Sequence, residues 1–587
     1  MDNGCLNNQK HRNWLTRFTR LIWHNVFRWS YMISNREVRR LFSLYAELLL
    51  LHEVDGRMSG LLSGAAYRLR NINEEVISLE KNKLSKLFQW EIVSVIQELQ
   101  STGTISALDE LIQLTPQGLF EMMRIKGLGG KKLSILWKVA EIDSIDVLLE
   151  SCKKNEVREL PGFGTKTQKN IINSIEAYRS QQEHFHFASV ADSANELLRV
   201  LKNNFPKALL NLCGDIRRQT NTVAAIEIVV TVPQKKLINA SLRKLLVIQS
   251  AKRNRTIAHT YDEIPVILYH VLKKDFYLEL FQKTGNAEHV KKILSKIKRR
   301  KQFDSEEAIY KEAGHPFIVP EMREDVAEWN YKKTIDELIT LEDIKGVVHN
   351  HTTWSDGVDT LRDFVIACKD RGYEYTVISD HSKNAHYAGG LKEEKVLKQM
   401  QEIDQLNEEL FPFKIFKSIE CDIKVSGDLD YENSFLKHFD LVIASVHQLL
   451  KMDKEKATKR LIKAIENPYT TILGHMTGRQ LLIRPGYPVD FKRVIDACAA
   501  NNVIIEINAN PYRLDVDWSQ IPYALKKKVM ISINPDAHSI REIDNIRWGV
   551  SSARKGGLTK NMTWNAMSLN QVEQLLKKKR TKIVVAS

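Results

Sequence analysis

The sequence predicts a multidomain protein of the mixed α+β and α/β classes, with a helical N-terminal region, an α/β middle and a C-terminal distorted (β/α) barrel. Three patterns lead to this prediction. Apolar residues recur at helical spacing from Ser34 to about Gln100. Two Gly-x-Gly motifs then follow between helical stretches. In the last third, short apolar runs that end in His, Asp or Glu alternate with helical stretches, which predicts a parallel barrel.

Side chains that suit a metal ion stand at the ends of the C-terminal apolar runs. The first run, Val347-Val348-His349-Asn350-His351, directs two imidazoles to one side of a strand, because alternate side chains point the same way. Imidazole and carboxylate ligands together suit zinc, manganese or iron. Six strand ends predict nine metal ligands: His349, His351, Asp356, His381, Glu420, His447, His475, Asp536 and His538.

The apolar runs are predicted as strands, and the periodic stretches between them as helices. The run that supplies Glu420 is predicted as one strand from Ile415 to Glu420. Helices are predicted over Leu361 to Cys368, Val396 to Leu410 and Ala457 to Ile465. All nine ligands then fall at C-terminal strand ends, where parallel barrels form their active sites. One buried histidine with a backbone partner is ordinary, whereas nine in register predict a metal cluster.

The segment from about Asp343 to the C-terminus resembles a PHP domain (polymerase and histidinol phosphatase). The nine ligand positions carry the resemblance, together with the motifs Gly474 to Arg479 and Glu506 to Asp515. It implies up to three divalent metal ions, manganese, zinc or iron. Such a cluster suits phosphoester hydrolysis, because it activates water and neutralises charge on the reacting oxygens. The expected catalytic residues are His349, His351, Glu420, Asp536 and Asp380, of which Asp380 or an imidazole manages protons.

Two arginines follow the PHP motifs. Arg479 and Arg513 could clamp a non-bridging phosphate oxygen, or they could form salt bridges at the rim of the site.

Two motifs with the same flanks predict tandem helix-hairpin-helix elements. They are Ile125 to Lys132 and Leu160 to Thr167. The glycines allow a tight turn that leaves N–H groups at a helix N-terminus, where a nearby lysine helps to hold a DNA phosphate. Such contacts carry no sequence information. One motif alone would be an ordinary helix C-cap and turn. The predicted DNA contacts are Gly127, Gly129, Lys131, Gly162, Gly164 and Lys166.

Composition indicates a polyanionic partner in a reducing compartment. The 587 residues carry a formal charge of +15, and residues 201 to 301 hold 21 Lys and Arg against 7 Asp and Glu. A solvated basic face is the alternative. Six scattered cysteines indicate no disulfide framework, and no apolar run is long enough to span a membrane. Residues 1–31 are a basic extension that forms an amphipathic helix or precedes a true start at Met32. We expect a monomer in the bacterial cytoplasm, associated with the nucleoid.

The order of these regions resembles the bacterial family X DNA polymerases from about Ser34 to the C-terminus. Further landmarks are Gly214 to Arg218, Thr284 to His289 and Ile318 to Glu324, which match the family's phosphate loop, turn and exit motifs. The resemblance implies a nucleotidyltransferase-like middle. The expected domains are the basic extension (1–31), a helical N-terminal domain (32–105), the tandem hairpins (106–185), a polymerase-like palm and thumb-like region (186–335) and the PHP domain (336–587).

Departures from the family pattern predict that polymerase activity is absent. Nucleotidyl transfer in this family needs three carboxylates that hold two magnesium ions. Alignment of the flanking motifs places these positions at Ala225, Glu227 and Ile267, so only one carboxylate remains. Asp215 replaces the serine of the phosphate loop and sets an anion beside the incoming triphosphate. The polymerase-like body would then serve as a DNA clamp.

The sequence therefore predicts a metal-dependent DNA phosphoesterase that binds DNA without sequence specificity. A 3′-to-5′ exonuclease or an end-processing repair nuclease fits best, and cleavage at abasic sites or removal of 3′-phosphates would use the same chemistry. Three alternatives stay open: an active family X polymerase with a proofreading PHP exonuclease, a small-molecule phosphatase of the histidinol phosphatase type, and a noncatalytic DNA-binding scaffold.

Overall fold

The computed structural model describes residues 35–69, 72, 74–125, 127–182, 184–239, 246–298, 302–330 and 335–586. The basic extension expected over residues 1–31 lies outside this range. The chain divides into two units, residues 1–182 and 183–587. The helices and strands form a mixed α/β multidomain protein, as expected. Within the described residues, no helix has the length and hydropathy needed to cross a membrane.

The first unit is helical throughout its described residues. Its apolar stripes converge on one core that includes Phe42, Leu48 and Leu62. The glycine motifs lie at the starts of the helices Gly130–Lys138 and Thr165–Gln182, and Gly127, Gly162 and Gly164 adopt positive φ angles there. The helices are α1 Asn35–His52, α2 Gly56–Arg68, α3 Lys81–Leu87, α4 Trp90–Thr102, α5 Ser106–Leu114, α6 Gln117–Met122, α7 Gly130–Lys138, α8 Ile145–Lys153 and α9 Thr165–Gln182.

The second unit begins with a five-stranded mixed sheet in the order β2-β4-β7-β6-β5, in which only β4 and β7 are parallel. A short antiparallel pair, β1 and β3, lies apart from it. The strands are β1 Phe185–His186, β2 Leu210–Cys213, β3 Thr222–Val223, β4 Ile226–Val230, β5 Leu246–Lys252, β6 Arg255–Thr260 and β7 Pro265–His270. The helices are α10 Phe187–Asn204, α11 Gly214–Arg218, α12 Gln234–Asn239, α13 Phe276–Thr284, α14 Ala287–Leu294 and α15 Glu306–Glu312.

The C-terminal part of the second unit contains two wholly parallel sheets, β10-β9-β8 and β11-β12-β13-β14-β15. Parallel bridges from His381 to Glu420 and from Asn350 to Ala537 join the sheets at two places. The strands are β8 Gly346–Asn350, β9 Tyr375–Ile378, β10 Lys414–Lys417, β11 Glu420–Asp422, β12 Val442–Ser445, β13 Thr470–Leu473, β14 Ile504–Asn508 and β15 Ile531–Asn534.

Helices connect these strands. All three helices predicted from periodicity are present, as Leu361–Asp370, Glu393–Glu409 and Lys454–Ile465, with two ends as predicted and the other four displaced by one to three residues. The helices are α16 Leu361–Asp370, α17 Glu393–Glu409, α18 Asn433–Leu436, α19 Lys454–Ile465, α20 Phe491–Asn501, α21 Ile521–Lys526, α22 Ile546–Lys555 and α23 Leu569–Ala586.

One strand prediction was wrong in a way that affects the site. The predicted strand Ile415 to Glu420 is two strands in different sheets, because β10 ends at Lys417 and β11 begins at Glu420. The Glu420 backbone N–H donates to the carbonyls of Ser379 and Asp380 just beyond β9. Glu420 therefore stands where the chain passes from one parallel sheet to the other.

The two parts of the second unit are joined by buried polar contacts. The Nζ of Lys555, on α22, is fully buried and donates to the carbonyl oxygens of Arg218 and Glu321 and to the carboxylate of Glu324. A buried ammonium group needs such partners to offset its lost hydration. The Phe187 ring also packs edge-on against Trp548, with 5.5 Å between ring centroids.

Candidate metal centre

The nine predicted ligands converge beyond the C-terminal ends of the parallel strands. Eight of them form three overlapping groups in which the ligand atoms lie within 4.8 Å of one another. His351 and His381 each belong to two groups, which makes the arrangement one cluster rather than three separate sites. The groups are His351, Asp356, His381 and His538; His349, His351 and Asp536; and His381, Glu420 and His447.

Glu420 lies at the centre of this cluster, with its side chain almost fully buried. Its Oε1 atom lies 2.9 Å from His475 Nε2, 3.1 Å from His447 Nε2 and 3.2 Å from His349 Nε2. Its Oε2 atom lies 3.0 Å from His381 Nδ1 and 3.7 Å from His351 Nε2. The ninth ligand, His475, thus joins the cluster through Glu420. A carboxylate with neighbours on both oxygens can bridge two cations.

Several buried atoms of the cluster make no hydrogen bond of suitable geometry among the described residues, although some lie within 3.2 Å of each other. They include His349 Nε2, both ring nitrogens of His351, His381 Nδ1 and Glu420 Oε2. Unpaired buried polar atoms are costly and are rare in folded proteins. Divalent cations would satisfy these atoms together, and the nitrogen and oxygen donors suit zinc, manganese or iron. The residues present therefore fit the divalent metal ions that the sequence predicts.

The electrostatics of the cluster also suit cation binding. Burial would raise the pKa of Glu420, but the surrounding imidazoles, above all that of His447, hold it well below its usual value. Burial would lower the pKa of His447, but Glu420 and Asp422 raise it to about 10. Burial and two neighbouring imidazoles lower the pKa of His351 to about 3. At neutral pH and without metal, the site thus contains ionised carboxylates, a neutral His351 and a protonated His447, so metal binding would release the proton of His447.

Carboxylates behind the cluster fix the orientation of two ligand rings. The Nδ1 of His349 contacts Glu506 Oε1 at 2.5 Å, and the Nδ1 of His447 contacts Asp422 Oδ1 at 2.5 Å. Each contact turns the Nε2 atom of its ring towards the cluster. Glu506 is the first residue of the PHP motif Glu506 to Asp515, but the sequence alone indicated no role for it. A single carboxylate within the apolar strand Ile504–Asn508 was the signal that could have identified it.

Asp380 lies behind the cluster and contacts no candidate ligand side chain among the described residues. Its carboxylate accepts hydrogen bonds from the backbone and hydroxyl groups of Thr352 and Ser355 and from the Gln399 amide. This pattern holds the loop that follows β8 and carries Asp356. Burial raises the pKa of Asp380, and the hydrogen bonds oppose that rise. The geometry supports a structural position for Asp380 rather than the predicted part in proton transfer.

The two predicted phosphate-binding arginines occupy different surroundings. Arg479 donates to the carbonyls of Arg513 and Leu514 and pairs with Asp517 at 2.8 Å, so it holds the loop beyond β14. The Nε of Arg513 lies 3.7 Å from Asp536 Oδ2 and therefore borders the cluster. Burial and the nearby Arg513 lower the pKa of Arg484, which the sequence did not single out. Of the two arginines, Arg513 borders the cluster, whereas Arg479 is engaged in the loop beyond β14.

The glycine motifs of the first unit differ in their surroundings. The N–H of Gly130, at the start of α7, donates to Glu47 Oε2 at 2.6 Å, so a carboxylate already lies at the first motif. A Cβ atom added to Gly127, Gly162 or Gly164 would meet nothing within 4 Å, so the turns of both motifs are open and the motifs differ in the Glu47 carboxylate. Lys131 and Lys166 are both exposed. The second motif offers the better approach for an anion.

No protein-family model matches the chain. A relative from Bacillus subtilis, named DNA polymerase/3′-5′ exonuclease PolX, is 33% identical over 507 residues, which cover 83% of this chain and 89% of the relative. The chain belongs to the PolX family. The resemblance to bacterial family X polymerases is thereby confirmed across most of the sequence.

Further relatives match a smaller part of this PolX-family chain. A probable phosphatase from Thermoanaerobacter sp. (strain X514) is 28% identical over 252 residues, which are 40% of this chain and 95% of the relative. Another, from Caldanaerobacter subterraneus, is 27% identical over 229 residues, covering 36% of this chain and 83% of the relative. These relatives are about as long as the C-terminal part that holds the metal cluster.

The positions aligned with the polymerase ligands of the PolX family meet on the mixed sheet. Glu227 of β4 pairs with Ile267 of β7 in the parallel ladder, and Ala225 immediately precedes β4. The Tyr269 hydroxyl donates to Glu227 Oε1 at 2.7 Å. Asp215 pairs with Arg218 within the short helix α11, where a phosphate loop was expected. Within the described residues, every candidate metal-binding group lies in the C-terminal part and none on this sheet.

Proposed function

We propose that this PolX-family protein is a metal-dependent DNA phosphodiesterase that removes nucleotides from 3′ ends and has no polymerase activity. The observation that carries the proposal is the cluster of nine ligands, whose buried, unpaired atoms call for several cations in one site. Membership of a family whose Bacillus subtilis member is named a 3′-5′ exonuclease supports hydrolysis of DNA. The catalytic roles assigned to individual residues are part of the proposal.

The residues around the cluster would bind and orient the substrate. A bound divalent cation would lower the pKa of an attacking water and stabilise charge on the phosphate. Arg513 would donate to a non-bridging phosphate oxygen from beside Asp536. Glu506 and Asp422 would keep the rings of His349 and His447 in place while charge develops. Asp380 would hold the loop that carries Asp356.

DNA would be held through its backbone by the rest of the chain. The open motif at Gly162 and Gly164, with Lys166, offers N–H groups and a charge to a phosphate without reading the sequence. The basic excess between residues 201 and 301 would add attraction that falls as salt rises. We propose that the protein acts as a monomer and that its polymerase-like body serves as the DNA clamp expected from the sequence.

The mixed sheet supports the loss of polymerase activity. Two of the three aligned positions, Ala225 and Ile267, have no carboxylate, and hard cations such as magnesium depend on oxygen donors. The remaining carboxylate, Glu227, is engaged by Tyr269. The side chain of Glu227 also packs against Gly214, where an added Cβ would lie 1.8 Å from its Oε2 atom. The sheet would therefore serve in DNA binding rather than in nucleotidyl transfer.

The proposed domains match these roles, with hydrolysis in the C-terminal part and DNA binding in the rest of the chain. The bridged parallel sheets support a distorted PHP barrel over residues 336–587. The paired motifs support tandem helix-hairpin-helix elements over residues 106–185. Residues 186–335 would be the degenerate palm and thumb-like region.

Hydrolysis of a 5′-labelled single-stranded oligonucleotide in manganese tests the proposed function. The wild-type protein should release nucleotides stepwise from the 3′ end, and His349→Ala should lose most of this activity and most of its bound metal. His438→Ala removes an exposed histidine of the same domain that is not a candidate ligand, and it should change neither property. Equal activity in wild type and His349→Ala would contradict the proposal.

A second candidate, a small-molecule phosphatase, is favoured by the probable phosphatases that match the C-terminal part alone. Hydrolysis of histidinol phosphate without hydrolysis of the oligonucleotide would establish this candidate instead.

A further inference from the structure

Exposed apolar side chains occur in loops at the strand ends where the candidate metal centre lies. Six of the nine large apolar residues that are strongly exposed within the described residues 336–586 lie in loops at the C-terminal ends of strands. They are Val358, Tyr387, Val425, Leu449, Ile483 and Tyr512. The loops after β8, β9, β12 and β13 also carry candidate metal ligands. Concentrated exposed apolar surface marks binding sites more often than chance does.

Tyr387 places an aromatic ring close to two candidate ligands. It belongs to a short 3₁₀ turn, His386–Ala388, in the loop that follows β9. Its ring centroid lies 6.3 Å from the His381 ring and 6.5 Å from the His447 ring, yet 59% of the residue is exposed. A tyrosine that served only to pack the loop would bury most of its ring. This ring instead offers a free face beside the cluster.

The charges nearby suit a nucleotide. Arg513 borders the ligand Asp536 and can take a phosphate oxygen, whereas an apolar ring face can take a nucleobase. Exposed aliphatic and aromatic side chains would contribute little to the binding of a small, strongly hydrated phosphomonoester. Aromatic rings accept any base, because every base has a π-face.

We propose that Tyr387 is a positioning residue that stacks on the terminal nucleobase of the DNA strand and so directs the adjoining phosphate to the metal centre. The proposal rests on the proposed function and adds a source of substrate selection to it. Stacking on one aromatic ring is worth about a tenfold change in affinity per base. The phenol hydroxyl has no part in stacking, so phenylalanine should replace tyrosine at this position.

Two labelled single-stranded oligonucleotides test the proposal with the full chain in manganese. They share a sequence, but one ends in thymidine and the other in a tetrahydrofuran residue that lacks a base. For the wild type, KM should be about tenfold lower for the thymidine end. Tyr387→Ala should remove that difference by raising KM for the thymidine end, with kcat nearly unchanged, and Tyr387→Phe should preserve it.

Phe411→Ala is the matched control. Phe411 is an exposed aromatic residue of the same domain that precedes β10, at the opposite end of the strands from the ligands, so its removal should alter neither substrate. Equal KM values for the two ends in the wild type would overturn the proposal without any variant. A Tyr387→Ala variant that slows both substrates equally would also overturn it. If the wild type hydrolyses neither oligonucleotide, the proposed function itself fails, and this inference fails with it.

Discussion

His349, on β8 of the three-stranded parallel sheet, and Glu506, on β14 of the five-stranded one, are joined by a contact of 2.5 Å between Nδ1 and Oε1. Both side chains are fully buried. Glu506 also accepts the backbone N–H of His475 and the side-chain amide of Asn534. One carboxylate thus orients one metal ligand directly and fixes the backbone of a second.

Replacing Glu506 by glutamine should weaken metal binding. The variant Glu506→Gln keeps the size of the side chain but loses the charge that orients the His349 ring, and such outer partners are worth about 10–100-fold in metal affinity. Titration of the metal-free protein with manganese measures the change. Glu466→Gln, at an exposed site in the same domain, should leave the affinity unchanged. An unaltered manganese affinity in Glu506→Gln would contradict the role of Glu506 in orienting His349.

Substitutions of Arg513 and Arg479 should affect different properties of the protein. Arg513→Ala should lower kcat/KM by about tenfold or more, because a charged hydrogen bond to phosphate is lost, while the thermal midpoint stays near the wild-type value. Arg479→Ala should lower the thermal midpoint, since it releases Arg513, Leu514 and Asp517 together. Kinetics and thermal unfolding of both variants test this assignment. The reverse pattern would show that Arg479 contacts the substrate.

The glycine motifs should contribute unequally to DNA binding. Lys166→Ala should lower DNA affinity and reduce the slope of log K against log salt by about one, as expected for one lost phosphate contact. Lys131→Ala should have a smaller effect, because Glu47 already lies against the Gly130 N–H and repels an incoming phosphate. Fluorescence anisotropy at several salt concentrations measures both slopes. Equal slopes in the two variants would mean that the motifs bind DNA equally.

Acid should destabilise the protein through His289. Burial lowers the pKa of His289, although its contact with Glu328 opposes the shift. The stabilisation is therefore complete above the ordinary histidine pKa of about 6.5 and is lost as the pH falls below it, because only the unfolded chain then gains the proton. The thermal midpoint should fall less between pH 7.5 and pH 5.5 in His289→Gln than in the wild type. An identical fall in both proteins would contradict this assignment.

The sequence could predict that the nine candidate ligands lie together, because most of them follow apolar runs and parallel strands bring such ends together whatever their order. Glu506 received no role because its function depends on how closely β14 approaches β8, which belongs to the other parallel sheet. The position of Glu420 between two sheets depends on where the chain changes sheet, which periodicity does not encode. The contact of Glu47 with Gly130 spans 83 residues and depends on helix packing. The different partners of Arg479 and Arg513 likewise became visible only in the folded loop.

A primer extension assay tests the central claim most directly. A 3′-recessed primer-template, labelled at the primer 5′ end, is incubated with manganese, with and without deoxynucleotides, beside the His349→Ala variant. The account predicts that the primer shortens with the wild type, does not lengthen when deoxynucleotides are added, and stays intact with the variant. Lengthening of the primer would contradict it, because Glu227 would then support nucleotidyl transfer without carboxylates at Ala225 and Ile267.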